Sequence, residues 1–314
     1  MTKPSGTTSA PEKAAGPVQV VEVGPRDGLQ NEATILATED KVRFIELAIA
    51  AGVRRMEAVS FVRPDAVPQM ADAEKVMDQV PRRDDVSYIG LVLNRRGFLR
   101  ALDSGVDEIN LVVAASDSFN LRNQNAGTDA LAAMVEEVLE LAGAAGMPAS
   151  VTIATAFGCP FEGEVAPDTV AALVARASAA GAREIALADT IGVGVPRQVR
   201  ELFGTARTLT DVPLRAHFHN TRNTGYANAV TALDLGVNIL DSSIGGIGGC
   251  PFAPRATGNI ATEDLVYLLD RSGVTTGLSV PALIDAAGFI GGKLGKEVPS
   301  MVSKAGGFPQ KEAS

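Results

Sequence analysis

The sequence predicts a (β/α)8 TIM barrel with a short C-terminal extension, and three observations carry that prediction. From residue 18 onward, apolar strand-like runs alternate with longer amphipathic runs, the βαβα order of a parallel sheet. Eight such units fit the chain, whereas open doubly wound sheets usually stop at about five or six strands. Four helix-like runs end in one recurring phrase: Ala51-Gly52-Val53, Ser104-Gly105-Val106, Ala180-Gly181-Ala182 and Leu235-Gly236-Val237. Glycine there takes the left-handed conformation that stops a helix, and the residue after it opens the next strand.

Residues 1–17 are rich in Ser, Thr, Ala, Pro and Gly, lack the apolar core of a signal peptide, and are expected to form a disordered tail. The barrel domain is expected over 18–277. Its strands are placed at 18–23, 55–61, 87–93, 108–114, 149–154, 184–188, 214–219 and 239–243, where β-branched and apolar residues are bounded by Gly, Pro, Asp and Asn. The intervening helices are placed at 38–51, 68–79, 95–104, 128–145, 168–180, 196–209, 223–235 and 262–271. Residues 278–314 hold a further helix, 280–290, and a polar Gly-rich tail expected to pack on or near the barrel.

With 314 residues, 46% hydrophobic and 21% charged, the chain can bury a large core. A net charge of −9 argues against a nucleic-acid surface, which needs a basic field. No apolar run approaches the roughly 20 residues of a membrane span, so neither nucleic acid nor membrane is expected as a partner. The two cysteines, Cys159 and Cys250, form no CxxC pair, and a reducing, cytoplasmic compartment is the expectation.

Both histidines of the chain lie in Arg215-Ala-His-Phe-His-Asn220. On a strand His217 and His219 share a face, with Phe218 on the other. At the carboxyl end of a barrel strand that pair forms a chelate, although two core histidines satisfied by hydrogen bonds would read the same way. Other chemistry-bearing residues fall at equivalent strand ends: Arg26 and Asp27 after the first, Glu57 and Ser60 on the second, Asp189-Thr190 on the sixth. The eighth strand runs into Asp241-Ser-Ser-Ile-Gly-Gly-Ile-Gly-Gly-Cys-Pro251 and then Gly258-Asn259. Glu57 and Asp189 would serve equally as partners of an Arg or of backbone amides. Cys250, on a glycine loop expected to be mobile and to face a cation, suits proton transfer; Cys159 reads as apolar filler. The candidate metal sphere is Asp27, His217, His219 and an amide oxygen of Asn259. Oxygen-rich donors without thiolate suit Mg2+ or Mn2+ better than zinc. The two-His, one-carboxylate count also fits a non-haem Fe(II) oxygenase.

The strings VEVGPRDGLQNE, MEAVSF, GCPFEG, ADTIGVG, HFHN and DSSIGGIGGCPFAPRATGNIATEDLVY closely resemble the 3-hydroxy-3-methylglutaryl-CoA lyases, metal-dependent barrel lyases related to Claisen-type synthases. The resemblance runs from about residue 18 to 270. It implies that Asp27, His217, His219 and Asn259 bind Mg2+ or Mn2+, that Arg26 and Cys250 are catalytic, and that His217, Glu57 and Asp189 handle protons. Gln30 and Ser60 match substrate-pocket positions. The implied partner is an acyl-CoA thioester, cleaved to acetyl-CoA and a ketone by a homo-oligomer, dimer or tetramer. Asn220 stands where the family usually has Asp, and Thr155 and Val59 also depart from its pattern. These departures point at the acyl group, with a citramalyl-CoA or a 3-alkyl homologue as alternative substrates. Arg222 and Arg255, on loops expected at the same mouth, are candidates to meet a carboxylate or the CoA phosphates. A condensing synthase of the same superfamily and a non-catalytic binding protein on the same barrel are the rival readings.

Overall fold

The computed structural model describes residues 17–249 and 258–309. Cys250, Arg255 and the expected N-terminal tail up to residue 16 lie outside the described residues. Eight parallel strands close into a barrel in chain order: β1 (Gln19–Glu22), β2 (Arg55–Ser60), β3 (Ser87–Val92), β4 (Glu108–Ala114), β5 (Ala149–Ala154), β6 (Glu184–Asp189), β7 (Leu214–Phe218) and β8 (Ile239–Ser242). Closure is made by β1 against β8, from Gln19 beside Ile239 to Glu22 beside Ser242. The (β/α)8 expectation therefore holds.

The helices are α1 (Thr38–Ala50), α2 (Ala73–Gln79), α3 (Arg95–Ser104), α4 (Asp117–Gln124), α5 (Thr128–Ala145) and α6 (Pro167–Ala179). They continue as α7 (Pro196–Leu209), α8 (Gly225–Asp234), α9 (Thr262–Arg271), α10 (Val280–Leu294) and α11 (Val302–Ala305). Apolar spacing decides which face each helix buries: Val199, Leu202, Phe203 and Ala206 of α7 recur at three- and four-residue steps and are all buried. In the extension, Leu283, Ala286, Ala287 and Ile290 of α10 are fully buried.

The structure departs from the sequence reading in four places. The helix expected at 68–79 is broken into a single turn at Pro68–Met70 and α2. Asp72 stands at the break, accepting from Thr38 Oγ1 (2.7 Å) and Lys41 Nζ. Helix α4 was not anticipated because its polar sequence has no apolar period; Ser116 caps it by accepting from the Phe119 amide (3.2 Å). Helix α10 runs on to Leu294, where Gly295 (φ 67°) stops it. At the end of β1, Gly24–Gly28 forms a π-helical turn in which the amides of Arg26, Asp27 and Gly28 converge on the Val23 carbonyl at 3.2, 2.7 and 3.1 Å. Such single π turns are frequent at functional sites. This one delivers Arg26 and Asp27 together to the barrel mouth.

Candidate metal centre

The site is assembled from three segments far apart in sequence. The π turn supplies Arg26 and Asp27, β7 and its first loop residue supply His217 and His219, and a returning segment supplies Asn259. That segment lies antiparallel beside the end of β7, where His219 pairs with Asn259. The Asn220 amide donates to the Gly258 carbonyl (2.8 Å) and the Ile260 amide to the Phe218 carbonyl (3.1 Å). As the alternation required, Phe218 packs outward against Phe157 and Phe203, leaving the two imidazoles on the inner side.

Ligand atoms of Asp27, His217 and His219 lie within 4.8 Å of one another, and the imidazole centroids are 5.2 Å apart. His219 is buried and its Nδ1 has no hydrogen-bond partner. An orphaned imidazole nitrogen beside a carboxylate and a second imidazole is the environment that a divalent ion completes. Burial, reinforced by the neighbouring His217, pushes the His219 pKa down to about 3, so this ring stays neutral, as ligation requires. Burial raises the Asp27 carboxyl, but Arg26, His217 and His219 outweigh it and hold the group ionised below its ordinary value. The residues present therefore fit a divalent cation.

Asn259 departs from the expected ligand geometry. Its Nδ2 faces the site, donating to Asp27 Oδ2 (2.8 Å) and to the Ile247 carbonyl (3.1 Å). Ligation through Oδ1 requires the amide to turn over.

Arg26 is buried and commits four of its five N–H donors: Nε donates to Glu57 Oε2 (2.8 Å), Nη2 to the same oxygen, and Nη1 to Asp27 Oδ1 (3.0 Å) and Gln30 Oε1 (3.4 Å). The second oxygen of Glu57 accepts from Asn110 Nδ2 (3.1 Å). Glu57 thus holds Arg26. Arg26, Asp27, Gln30, Glu57, His217 and His219 all border one cavity of about 430 Å3.

Two residues expected at the site are not brought to the cavity. Asp189 pairs in register with Phe218, whereas Ala188 pairs with His217; neighbours in register share a face, so Asp189 points outward with Phe218. It accepts the amides of Val193 and Gly194, both at 2.9 Å, while burial raises its carboxyl above the usual range. Ser60 is fully buried and does not line the cavity. Asn220 is also turned away: its Oδ1 accepts from the Gly225 amide (3.2 Å) at the start of α8. Arg222 ties two loops together, Nη1 donating to the carbonyls of Ile191 and Gly192 at 3.0 Å each. Cys159 is the expected filler, buried beside Ser116 Oγ (2.9 Å).

Two groups that shape the site escaped sequence reasoning. Asp241 on β8, in register with His217, accepts from His217 Nδ1 through Oδ2 at 3.1 Å. Burial lowers the His217 pKa, but this bond and the charge of Asp241 outweigh it and raise the ring above its ordinary value. Glu22 on β1 accepts from the amides of Gly24 (2.8 Å) and Ile244 (2.9 Å) and from Thr262 Oγ1 (2.7 Å), binding the π turn to the loop after β8. A glutamate among valines in Val20-Val21-Glu22-Val23 was the available signal.

Burial lifts the Glu22 carboxyl from 4.5 to about 8 in spite of those hydrogen bonds. The folded state therefore holds a proton that the unfolded chain releases. The stability this contributes is complete below about 4.5 and is lost as pH rises through about 8. Urea unfolding across that window should show native stability falling with pH relative to Glu22→Gln. A pH-independent difference between the two proteins would refute the shift.

The loop after β8 was expected to be mobile because of its glycines. In its described part Gly245, Gly246 and Gly248 also permit close packing. At Gly248 (φ 106°) an added Cβ would lie 2.7 Å from Asn259 Nδ2, 2.9 Å from Gly28 Cα and 3.0 Å from the Asp27 carbonyl. Gly248→Ala should therefore displace Asp27 and Asn259, weakening Mn2+ binding and activity together, as calorimetry and a turnover assay would read. Native values in that variant would mean the contact has slack.

The HMGL-like family model matches residues 17–290. The chain belongs to the HMGL-like family. It is 44% identical to the (R)-citramalyl-CoA lyase of Chloroflexus aurantiacus, over 93% of this chain and 96% of that one. It is 40% identical to the mitochondrial hydroxymethylglutaryl-CoA lyase of Bos taurus, over 92% and 89% respectively. Among solved structures, an HMG-CoA lyase from Acinetobacter baumannii, in complex with coenzyme A and 3-methylmalate, superposes with a TM-score of 0.90 at 39% identity, over 95% of this chain and 98% of that one. The reading of the chain as a lyase of this family holds. Among the described residues no helix is long and apolar enough to cross a membrane.

Proposed function

We propose that this chain is a divalent-metal-dependent lyase that splits the C2–C3 bond of 3-hydroxy-3-methylglutaryl-CoA, giving acetyl-CoA and acetoacetate. One observation carries the reading: a single cavity holds Asp27, His217 and His219 in chelating reach, with Arg26 bonded to the same carboxylate. Relatives named for this activity, and coenzyme A in the complex of a similar structure, support the acyl-CoA substrate. Mg2+ or Mn2+ is the proposed ion, held by Asp27, His217 and His219, with the Asn259 amide as a fourth donor. The chemistry such an ion supplies is Lewis acidity, lowering the pKa of the substrate's C3 hydroxyl.

The residues of the chain account for the rest. Arg26, braced by Glu57, presents a fixed guanidinium to the negative charge that grows on the thioester oxygen as the C2–C3 electron pair moves to C2. Gln30, against Arg26 on the cavity wall, is assigned to substrate contact. His217 gives its Nδ1–H to Asp241 and has one lone pair left, at Nε2, so it serves the cation or a proton but not both at once. Glu57 borders the same cavity and is assigned the hydroxyl proton while the cation is bound; Asp189 and Ser60 are given no part. Cys250 is assigned the return of a proton to C2, which completes acetyl-CoA. The remainder of the proposal is a homo-oligomer, dimer or tetramer, in a reducing cytoplasmic compartment.

The 44% identity to a citramalyl-CoA lyase favours a second reading. That substrate lacks one methylene between carbinol and carboxylate and yields pyruvate in place of acetoacetate. The test is kcat/KM for acetyl-CoA release from both thioesters and from 3-alkyl homologues. Preference for the methylglutaryl thioester is expected. Cleavage of citramalyl-CoA alone would select the second reading, and no acetyl-CoA from any of them would overturn both.

A further inference from the structure

Beneath the site the barrel axis is polar. Arg215, on β7 two residues before His217 and only 2% exposed, crosses it. Its Nε lies 3.4 Å from Asp241 Oδ1 on β8, an ion pair without hydrogen-bond geometry in which each atom has the other as its near polar neighbour, and its Nη1 lies 3.2 Å from Glu184 Oε1 on β6. Its Nη2 reaches Asn110 Oδ1 on β4 (3.5 Å) and Thr152 Oγ1 on β5 (3.4 Å). One guanidinium therefore bridges four other strands. Glu184 is itself held from below by Arg55, at 2.7 and 3.1 Å, so the far side of the bridge is anchored.

Asp241 is 4% exposed, and its ion-pair partners among the described residues are Arg215 and His217. One carboxylate oxygen faces each. A carboxylate that accepts from an imidazole Nδ1 fixes that ring's rotation and tautomer and leaves Nε2 free for a metal. When the ring is a neutral ligand, Arg215 is the positive charge within ion-pair distance of Asp241 among the described residues, with Arg26 acting on it from farther away; a buried carboxylate stripped of its near partner is strongly destabilised. We infer that Arg215 is a positioning residue for the metal centre: it clamps Asp241, and Asp241 holds the His217 ring with Nε2 toward Asp27 and His219. The inference rests on the reading that Asp27, His217 and His219 hold a divalent ion. The fork is what the place demands, since a lysine ammonium is a point charge that cannot meet Asp241, Glu184 and Asn110 together.

The chain has two histidines, so ring-15N spectra of histidine-labelled protein contain two spin systems, and His217→Gln assigns them. Native metal-free protein at alkaline pH, where both rings are neutral, is expected to show His217 in the Nδ1–H form. In Arg215→Lys and Arg215→Gln that ring is expected to become a mixture of tautomers. Mn2+ binding, measured by calorimetry, should weaken by about 10- to 100-fold, the usual effect of losing an outer-shell partner. Urea unfolding of each variant reads the purely structural contribution. If Arg215→Gln fails to fold, Arg215→Lys, which keeps the buried charge, decides the question. A folded variant with lowered stability but a native His217 tautomer and native Mn2+ affinity would overturn the inference. Failure of the native protein to bind Mn2+ would overturn the metal reading instead, and the tautomer measurement would still judge Arg215.

Discussion

Asp27→Ala should abolish divalent-ion binding and lower kcat by at least about 10³-fold, since Lewis-acid stabilisation is worth several kcal/mol and each 1.36 kcal/mol is tenfold. The residue does more than donate one oxygen. Its two oxygens are the meeting point of Arg26 Nη1 at 3.0 Å and Asn259 Nδ2 at 2.8 Å, so its loss removes a proposed ligand and also releases the Arg26 guanidinium and the Asn259 amide. Electron paramagnetic resonance of Mn2+ beside a turnover assay checks both effects. Native Mn2+ affinity in Asp27→Ala would remove the carboxylate from the metal sphere.

Arg26→Lys should lower kcat by about 10²- to 10³-fold, the usual loss for one donor to a developing oxyanion, with Mn2+ affinity retained. Nε and Nη2 grip Glu57 while Nη1 reaches Asp27, an arrangement only a planar fork can make. Lysine is the informative replacement. Arg26→Ala would leave Glu57, 3% exposed, without its cation, at a cost of about 3–5 kcal/mol that would confound the kinetics. A change in KM alone, with kcat intact, would assign Arg26 to substrate binding and not to charge stabilisation.

The eight strands were legible because β-branched runs and helix-stopping glycines mark each unit locally, and Gly52, Gly105, Gly181 and Gly236 all take positive φ as expected. The inward direction of His217 and His219 followed from alternation alone. What was not legible depends on which strand lies beside which. Asp189 and Ser60 sit at strand ends, but only the pairing of Asp189 with Phe218 shows that it faces away from the cavity. Asp241 gains its role from lying opposite His217 in a register set by barrel closure. Asn259 reaches the site through a bridge to His219 that no local pattern announces. Asn220 stands where the resembled family usually has Asp; the structure spends its side chain on the start of α8 and on Asn223. Thr155, buried at φ 53°, is a β-branched residue in a conformation that glycine favours. Its amide donates to Thr190 Oγ1 on the cavity wall at 2.8 Å, a contact that only the folded chain defines.

The most direct test of the central claim is acetyl-CoA release from 3-hydroxy-3-methylglutaryl-CoA by exhaustively chelated protein during titration with Mn2+, with bound ion counted by electron paramagnetic resonance in the same samples. The account predicts no release without the ion, and activity that rises with occupancy and saturates at one Mn2+ per chain. Full-rate release from the chelated protein, or saturation that leaves activity unchanged, would contradict it.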